Sequence, residues 1–257
     1  DGFLEEARQT LKASGGLDSF FVQKWQAIMT VLKAPRDLRP LHKIKQEASK
    51  LKHWETARDC DRFACLAQQN ERLFQKLYFG TPYKEFRSQL RRDFSALPLP
   101  DSFTWYPNQK QNGPTLDLVD FKAKNTKSGM LLHRLISVLS SDFYRPIRLA
   151  SIHSALYEGE HFNPRSSPTR VHQAIKRLRQ WVKESQYPLE ILEDHSSYTL
   201  KALAPVAIRV SLNESPPSRQ ELQLKALKEK WGALPFNVRD VAEWLGVSLR
   251  SANRILQ

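Results

Sequence analysis

The chain has 257 residues, of which 40 are lysine or arginine and 27 are aspartate or glutamate, so its formal net charge is +13. This length suffices for two or three small domains with separate cores, and the excess of positive charge favours a polyanionic partner. No apolar run approaches the roughly 20 residues of a membrane span, and the N-terminal residues show no signal-peptide pattern. We therefore expect a cytoplasmic protein without membrane contact.

Residues 1–94 predict an α-helical domain for regulation or assembly. Apolar residues recur at helical spacing in Phe3–Leu11, Phe20–Leu32, Leu41–Trp54, Ala57–Leu66, Leu73–Tyr78 and Tyr83–Phe94. Short turns separate these segments, as in an antiparallel bundle or a short solenoid. The arrangement resembles stacked tetratricopeptide-type hairpins, although no motif repeats at a fixed period. A homodimer through these helices is one expected use.

The two cysteines of the chain lie in this predicted domain. Cys60 and Cys65 are five positions apart in a helical segment, so their side chains point about 140° apart. This spacing suits neither a disulfide nor a shared metal ion. We expect two reduced thiols.

Two proline-rich segments, residues 95–114 and 204–218, are predicted linkers. Phe103–Tyr106 predicts a short strand inside the first linker, Leu116–Phe121 one just after it, and Ala207–Leu212 one inside the second. Residues 115–203 between them form a predicted second domain.

The second domain predicts helices, a loop and a hairpin in a fixed order. Its elements are helices at Met130–Leu139 and Arg148–Tyr157, a loop at Glu158–Ser167, a helix at 168–183, and strands at Leu189–Leu192 and Tyr198–Leu200 around the turn Glu193–Ser197. Ser167 as N-cap and Pro168 in the first turn mark the start of the third helix.

The third helix combines an apolar face with a basic one. Six basic residues and no acid lie between Arg165 and Lys183. An apolar stripe on one side is formed by Val171, Ile175, Leu178 and Val182. The opposite side carries Thr169, Gln173, Lys176 and Gln180, flanked by Arg170 and Arg177. Because these side-chain types bind base edges and phosphates, the helix is a candidate reader of the DNA major groove.

Four motifs of the second domain resemble the winged helix-turn-helix output domain of OmpR/PhoB-type response regulators. They are Met130-Leu-Leu-His-Arg-Leu135, Arg145-Pro-Ile-Arg-Leu149, Arg170-Val-His-Gln-Ala-Ile-Lys-Arg-Leu-Arg179 and Tyr198-Thr-Leu200. The resemblance covers roughly residues 115–202. It implies a bacterial-type transcriptional regulator whose helix 168–183 enters the major groove.

The resemblance also implies where other contacts would lie. Arg165, Ser166 and Ser167 would hold a phosphate at the start of the helix, and the loop 158–167 would meet RNA polymerase. Two features depart from the family. The wing tip is the acidic Glu193-Asp194-His195, which would repel phosphate, and residues 1–100 lack the strand–helix pattern of a phosphate-receiver domain.

Residues 219–257 resemble a second helix-turn-helix. Ala242 and Gly246 have the spacing of a packed small residue and a turn glycine. The second helix would carry the DNA-binding side chains Ser248, Arg250, Ser251 and Asn253. Since the chain stops at Gln257, where this helix ends, we expect the natural domain to continue.

No pattern predicts catalysis. The seven histidines are scattered without metal-ligand spacing, and no nucleophile, glycine-rich loop or acidic metal cluster accompanies them. We expect no enzyme activity, no metal site and no cofactor. The sequence predicts a mainly α protein with small β elements that binds double-stranded DNA sequence-specifically as a transcriptional regulator. The alternative is a scaffold or adaptor whose winged helix docks onto a protein.

Overall fold

The computed structural model describes residues 2, 6, 17–108, 110, 112–119, 131–211, 227–232 and 234–256. They are mainly helical with two small sheets, which confirms the predicted fold class. The chain divides into two compact units. The first is Asp1–Phe103 with Ser141–Pro146, and the second is Thr104–Ser140 with Ile147–Gln257. None of the helices among these residues is long and apolar enough to cross a bilayer.

The first unit is built from helices. They are α1 Leu17–Lys33, α2 Arg39–Lys50, α3 Trp54–Gln68, α4 Glu71–Phe79 and α5 Lys84–Asp93. The predicted helix Phe3–Leu11 lies outside the described residues, apart from Glu6. Pro40 sits in the first turn of α2, where no intrahelical bond needs its missing N–H. Asn70, a predicted breaker, caps α4 by accepting a hydrogen bond from the Leu73 N–H at 2.8 Å.

The apolar faces of these helices form two buried clusters. One contains Phe20, Ile28, Val31, Leu41 and Ala48, and the other contains Cys65, Phe74, Leu77, Leu90 and Phe94. Leu73 and Tyr144 pack against both clusters. Burial of each large apolar side chain contributes about 1.5–3 kcal/mol, so this interior holds the helices together.

A buried ion pair ties the segment Ser141–Pro146 into the first unit. The side chains of Arg58 and Asp142 are each 1% exposed, and Arg58 Nη2 lies 2.8 Å from both carboxylate oxygens. Asp142 also accepts hydrogen bonds from the backbone N–H groups of Tyr144 and Arg145. Burial alone would lower the pKa of Arg58, but the carboxylates of Asp142 and Glu55 together outweigh it and the pKa is raised.

Gly80 at the end of α4 accommodates the same segment. The Phe143 N–H donates a hydrogen bond to the Gly80 carbonyl at 3.1 Å. A Cβ atom at position 80 would lie 2.2 Å from Phe143 Cδ2 and 2.7 Å from the Lys76 carbonyl oxygen. Only glycine therefore permits this close approach.

Both cysteines are free and buried in the first unit. Burial raises the pKa of Cys60 and of Cys65 to about 12. The Cys65 thiol donates a hydrogen bond to the Asn70 carbonyl at 3.4 Å. Their environment is that of structural thiols.

The second unit mixes strands and helices. Its elements are β1 Ser102–Trp105, which begins in the first unit, β2 Thr115–Asp117, α6 Leu131–Leu139, β3 Ile147–Arg148, α7 Leu149–Leu156, α8 Ser167–Glu184, β4 Leu189–Asp194, β5 Ser197–Ala202, β6 Ala207–Ser211, α9 Val238–Leu245 and α10 Leu249–Leu256. One sheet has the strand order β1-β6-β2 and the other β3-β5-β4.

Helices α6, α7 and α8 pack on one another, and α8 also packs on β4. The hairpin pairs from Leu189↔Ala202 to Asp194↔Ser197, and β3 adds to β5 at Ile147↔Tyr198. The hairpin turn is shorter than predicted. His195 and Ser196 both have positive φ, which is typical of a two-residue turn that lets the strands continue to its edge.

Both predicted linkers contain a strand. β6, inside 204–218, runs parallel to β2 from Thr115↔Ala207 to Asp117↔Arg209. Arg209 Nη1 also donates to Asp117 Oδ2 at 3.0 Å. Ile208 is fully buried. The predicted strands Phe103–Tyr106, Leu116–Phe121 and Ala207–Leu212 overlap β1, β2 and β6. Strands of three to five residues carry no signal for which strand they pair with.

We expect Asp142→Asn to lower the free energy of unfolding by about 3–5 kcal/mol, because it leaves the buried Arg58 guanidinium with only the exposed Glu55 carboxylate as a counterion. Urea denaturation followed by circular dichroism measures this. The matched control is Asp37→Asn, which removes the exposed partner of Arg39 and should leave the unfolding midpoint unchanged. Equal effects of the two variants would contradict the assigned role of the buried pair.

Candidate nucleic-acid interface

Helix α8 carries the candidate interface. Its buried apolar side chains are Val171, Ala174, Ile175, Leu178, Trp181 and Val182. The predicted stripe is therefore confirmed as buried, and an alanine and a tryptophan widen it. With this face packed against α6, α7 and β4, the helix has one fixed rotation about its axis.

The opposite face of α8 is open. The side chains there are those of Thr169, Gln173, Lys176, Arg177 and Gln180, all exposed. Gln180 donates a hydrogen bond to Glu184 Oε1 at 2.6 Å. Within the described part of the chain, no side chain forms an ion pair or a hydrogen bond with Gln173, Lys176 or Arg177. We call Thr169, Gln173, Lys176, Arg177 and Gln180 the outer row.

The start of α8 differs from the predicted phosphate site. The Arg165 N–H donates to Asn163 Oδ1 at 2.9 Å, and the N–H groups of Ser166 and Ser167 donate to the Asn163 carbonyl. The Ser167 hydroxyl accepts from the Asn163 N–H at 2.9 Å, and Ser167 is only 2% exposed. The prediction for Ser167 is therefore wrong, because its polar groups are used within the loop. The side chains of Arg165 and Ser166 are exposed.

The helix also starts one residue earlier than predicted. α8 begins at Ser167, so Ser166 occupies the N-cap position and makes no side-chain cap bond. Asn163 closes the start of the helix in its place. An Asn-Pro pair, here Asn163 and Pro164, is a signal for such a turn, because the asparagine side chain bonds nearby backbone.

Arg170 contacts the segment before α8 and does not belong to the outer row. Its guanidinium forms an ion pair with the Glu160 carboxylate and lies 3.8 Å from the centre of the Tyr157 ring. The hydrogen bond from Arg170 lowers the pKa of Glu160, and the same bond raises that of Arg170. In the structure the Glu160 carboxylate compensates the charge of Arg170 and links α8 to the loop, and a DNA contact by Arg170 stays a prediction.

The wing presents acids beside α8. Glu193 and Asp194 are exposed at the end of β4, and His195 Nδ1 lies 3.2 Å from Asp194 Oδ1. Carboxylates at this place repel phosphates.

Arg179 has a role that sequence patterns did not indicate. Its Nε and Nη2 donate to the Ile191 carbonyl on β4 at 3.2 and 2.9 Å. At 100° per residue, Arg179 projects about 120° away from Gln173 around the helix. This basic residue therefore belongs to the flank of α8 that meets the wing.

The C-terminal part contains two helices around a glycine turn. Asn237 caps α9 in a capping box with Asp240, and Gly246, at φ 64°, ends it. The shared core consists of Leu227, Val241, Ala242, Leu245 and Ala252. Of the predicted DNA-binding side chains, those of Ser248, Arg250 and Asn253 are exposed, whereas that of Ser251 lies outside the described residues.

Comparison with known proteins adds no relative. No protein family, curated protein or solved structure matches the chain. The interpretation of the interface therefore rests on its own geometry and charges.

We expect Glu160→Gln to increase affinity for duplex DNA, because it removes a carboxylate beside α8 and releases the Arg170 guanidinium. In a salt titration followed by fluorescence anisotropy, the slope of log affinity against log salt should steepen by about one. Adding Arg170→Gln to this variant should return the slope to the wild-type value. Identical slopes in all three proteins would show that the ion pair has no influence on binding.

Proposed function

We propose that the second unit binds double-stranded DNA sequence-specifically and that the protein is a transcriptional regulator. The observation that carries the proposal is the outer row of α8. It holds exposed amide and cationic side chains on a helix whose other face is buried. A buried stripe fixes the direction in which the outer row points, so binding costs the rotamer freedom of its side chains but does not have to order the helix itself.

The dimensions of α8 suit the major groove. Its 18 residues span about 27 Å, and a groove about 12 Å wide admits an α-helix. Gln173 is the type of side chain that pairs with adenine, and Lys176 and Arg177 are the types that pair with guanine or phosphate. Each good base contact would discriminate by about 1–3 kcal/mol.

The element order supports the resemblance to OmpR/PhoB-type output domains. β3 pairs with β5, so the hairpin is part of a three-stranded wing sheet. The loop before α8 is anchored at its start, where Arg134 donates to the Ala155 and Leu156 carbonyls. Contact of the loop 158–167 with RNA polymerase, and a homodimer through the first unit, stay predictions.

The C-terminal helices supply a second candidate contact. α10 presents Arg250 and Asn253, both exposed and both able to bond bases or phosphates. In our proposal α10 adds to the affinity of α8 for the same DNA.

The outer row also distinguishes this proposal from the scaffold alternative. Binding to DNA should weaken log-linearly as salt rises, because each neutralised phosphate releases counterions. A scaffold would bind no duplex even at low salt.

We expect the double variant Lys176→Ala/Arg177→Ala to lose DNA affinity without losing stability, because both side chains are exposed. The salt slope should fall by about two, one for each cation. Anisotropy with labelled duplex DNA measures binding, and thermal unfolding measures stability.

The control is Lys43→Ala/Lys50→Ala, which removes two exposed lysines of α2 and changes the net charge equally. It should keep wild-type affinity. If both double variants lose the same affinity, net charge rather than the outer row governs binding and the proposal fails.

We expect Gln173→Leu to change base preference more than overall affinity, because an amide reads a base edge and carries no charge. Bound sequences selected from a random duplex pool should show a weaker base preference at one position than those selected with the wild-type protein. The salt slope should stay unchanged. An unaltered sequence preference would remove Gln173 from the reading surface.

A further inference from the structure

Strand β4 is an edge strand of the wing sheet β3-β5-β4. Because Asp194↔Ser197 closes a two-residue turn, residues 190, 192 and 194 direct their backbone groups toward β5. The N–H and C=O groups of residues 189, 191 and 193 consequently point outward, away from the sheet.

Only part of this edge is covered. The Leu189 N–H donates to the Tyr187 carbonyl at 2.8 Å, and Arg179 donates to the Ile191 carbonyl. Among the described residues, the Ile191 N–H and both outward groups of Glu193 have no hydrogen-bond partner. Such an edge is a template for an added strand.

A groove of about 630 Å³ lies between β4 and the C-terminal half of α8. Val182, Leu189 and Leu192 give it an apolar lining, and Leu203 at its border is 62% exposed. A side chain of an added strand could therefore be buried there at the same time as its backbone pairs with β4.

The charges along β4 indicate which kind of added strand would bind there. Its solvent face alternates Glu190, Leu192 and Asp194, so an added strand would place its own side chains about 5 Å from an acid, an apolar residue and an acid. On the β5 side, Glu190 faces Lys201 and Asp194 faces Ser197. Basic, apolar and basic residues at alternate positions complement this face. A second copy of β4 would instead bring carboxylates toward carboxylates, which disfavours self-pairing.

We propose that the β4 edge and its groove bind an extended segment of a partner protein with alternating basic, apolar and basic side chains. Strand addition uses the open groups of Ile191 and Glu193, and Arg179 must leave the Ile191 carbonyl to complete the pairing. Arg179 therefore acts as a gate. Arg179 projects about 120° from Gln173 and about 60° from Lys176, so this surface lies on the flank of α8 beside the outer row. Strand addition to β4 uses none of the outer-row side chains.

The test uses the full chain and the fluorescein-labelled peptide Thr-Lys-Thr-Val-Thr-Lys-Thr, with binding followed by anisotropy. The matched peptide carries glutamate in place of both lysines. We expect the lysine peptide to bind at least about tenfold more tightly than the glutamate peptide, since the two charge patterns are opposite. Equal binding of both peptides, or of neither, would overturn the proposal.

Three variants separate backbone pairing from charge. Glu193→Pro removes an outward N–H that β5 does not use and should abolish binding, whereas Glu193→Ala keeps that N–H and most of the binding. Arg179→Ala uncovers the Ile191 carbonyl and should tighten binding several-fold. A proline variant that still binds would refute strand addition.

A second measurement covers the case in which the proline variant fails to fold. In the wild-type protein, the lysine peptide should slow amide hydrogen exchange at Ile191 and Glu193, because their N–H groups become paired. It should not change exchange in α10. Absence of protection at both β4 amides would refute the proposal independently of any variant.

Discussion

The rest of the candidate interface depends on the burial of the apolar stripe of α8. Val171, Ile175 and Leu178 are each 1% exposed or less, and they hold the helix against α6 and α7. This packing determines which side chains of α8 face outward. Because the interior is close-packed, the helix cannot rotate to present Gln173 or Lys176 elsewhere without opening the core.

Ion pairs and hydrogen bonds within the protein determine which of its many cationic side chains are available to bind a partner. Arg58 is buried against Asp142, Arg170 is bound to Glu160, and Arg179 covers the β4 edge. Lys176 and Arg177 project from the outer row instead. A net charge of +13 therefore says less about binding than the position of a few side chains whose charge is not already compensated.

The loop before α8 shows the limit of reasoning from a pattern. Serines before a proline at a helix start are typical of a cap and of a phosphate site, and Ser166 and Ser167 fit that pattern. The Asn163 carbonyl accepts hydrogen bonds from the backbone N–H groups of both residues instead. Local propensity cannot decide whether a nearby backbone carbonyl, here that of Asn163, accepts these N–H groups, because its distance from them depends on the path of the whole loop.

Periodicity in the sequence determined the helices, the hairpin and the two faces of α8, because these patterns depend only on residues a few positions apart. The tertiary structure decided what depends on distant residues. It placed Ser141–Pro146 in the first unit through Arg58 and Asp142, which are 84 positions apart. It also paired β2 with β6 and turned Arg179 toward β4. No local pattern encodes such contacts, since chain folding alone brings these groups within bonding distance.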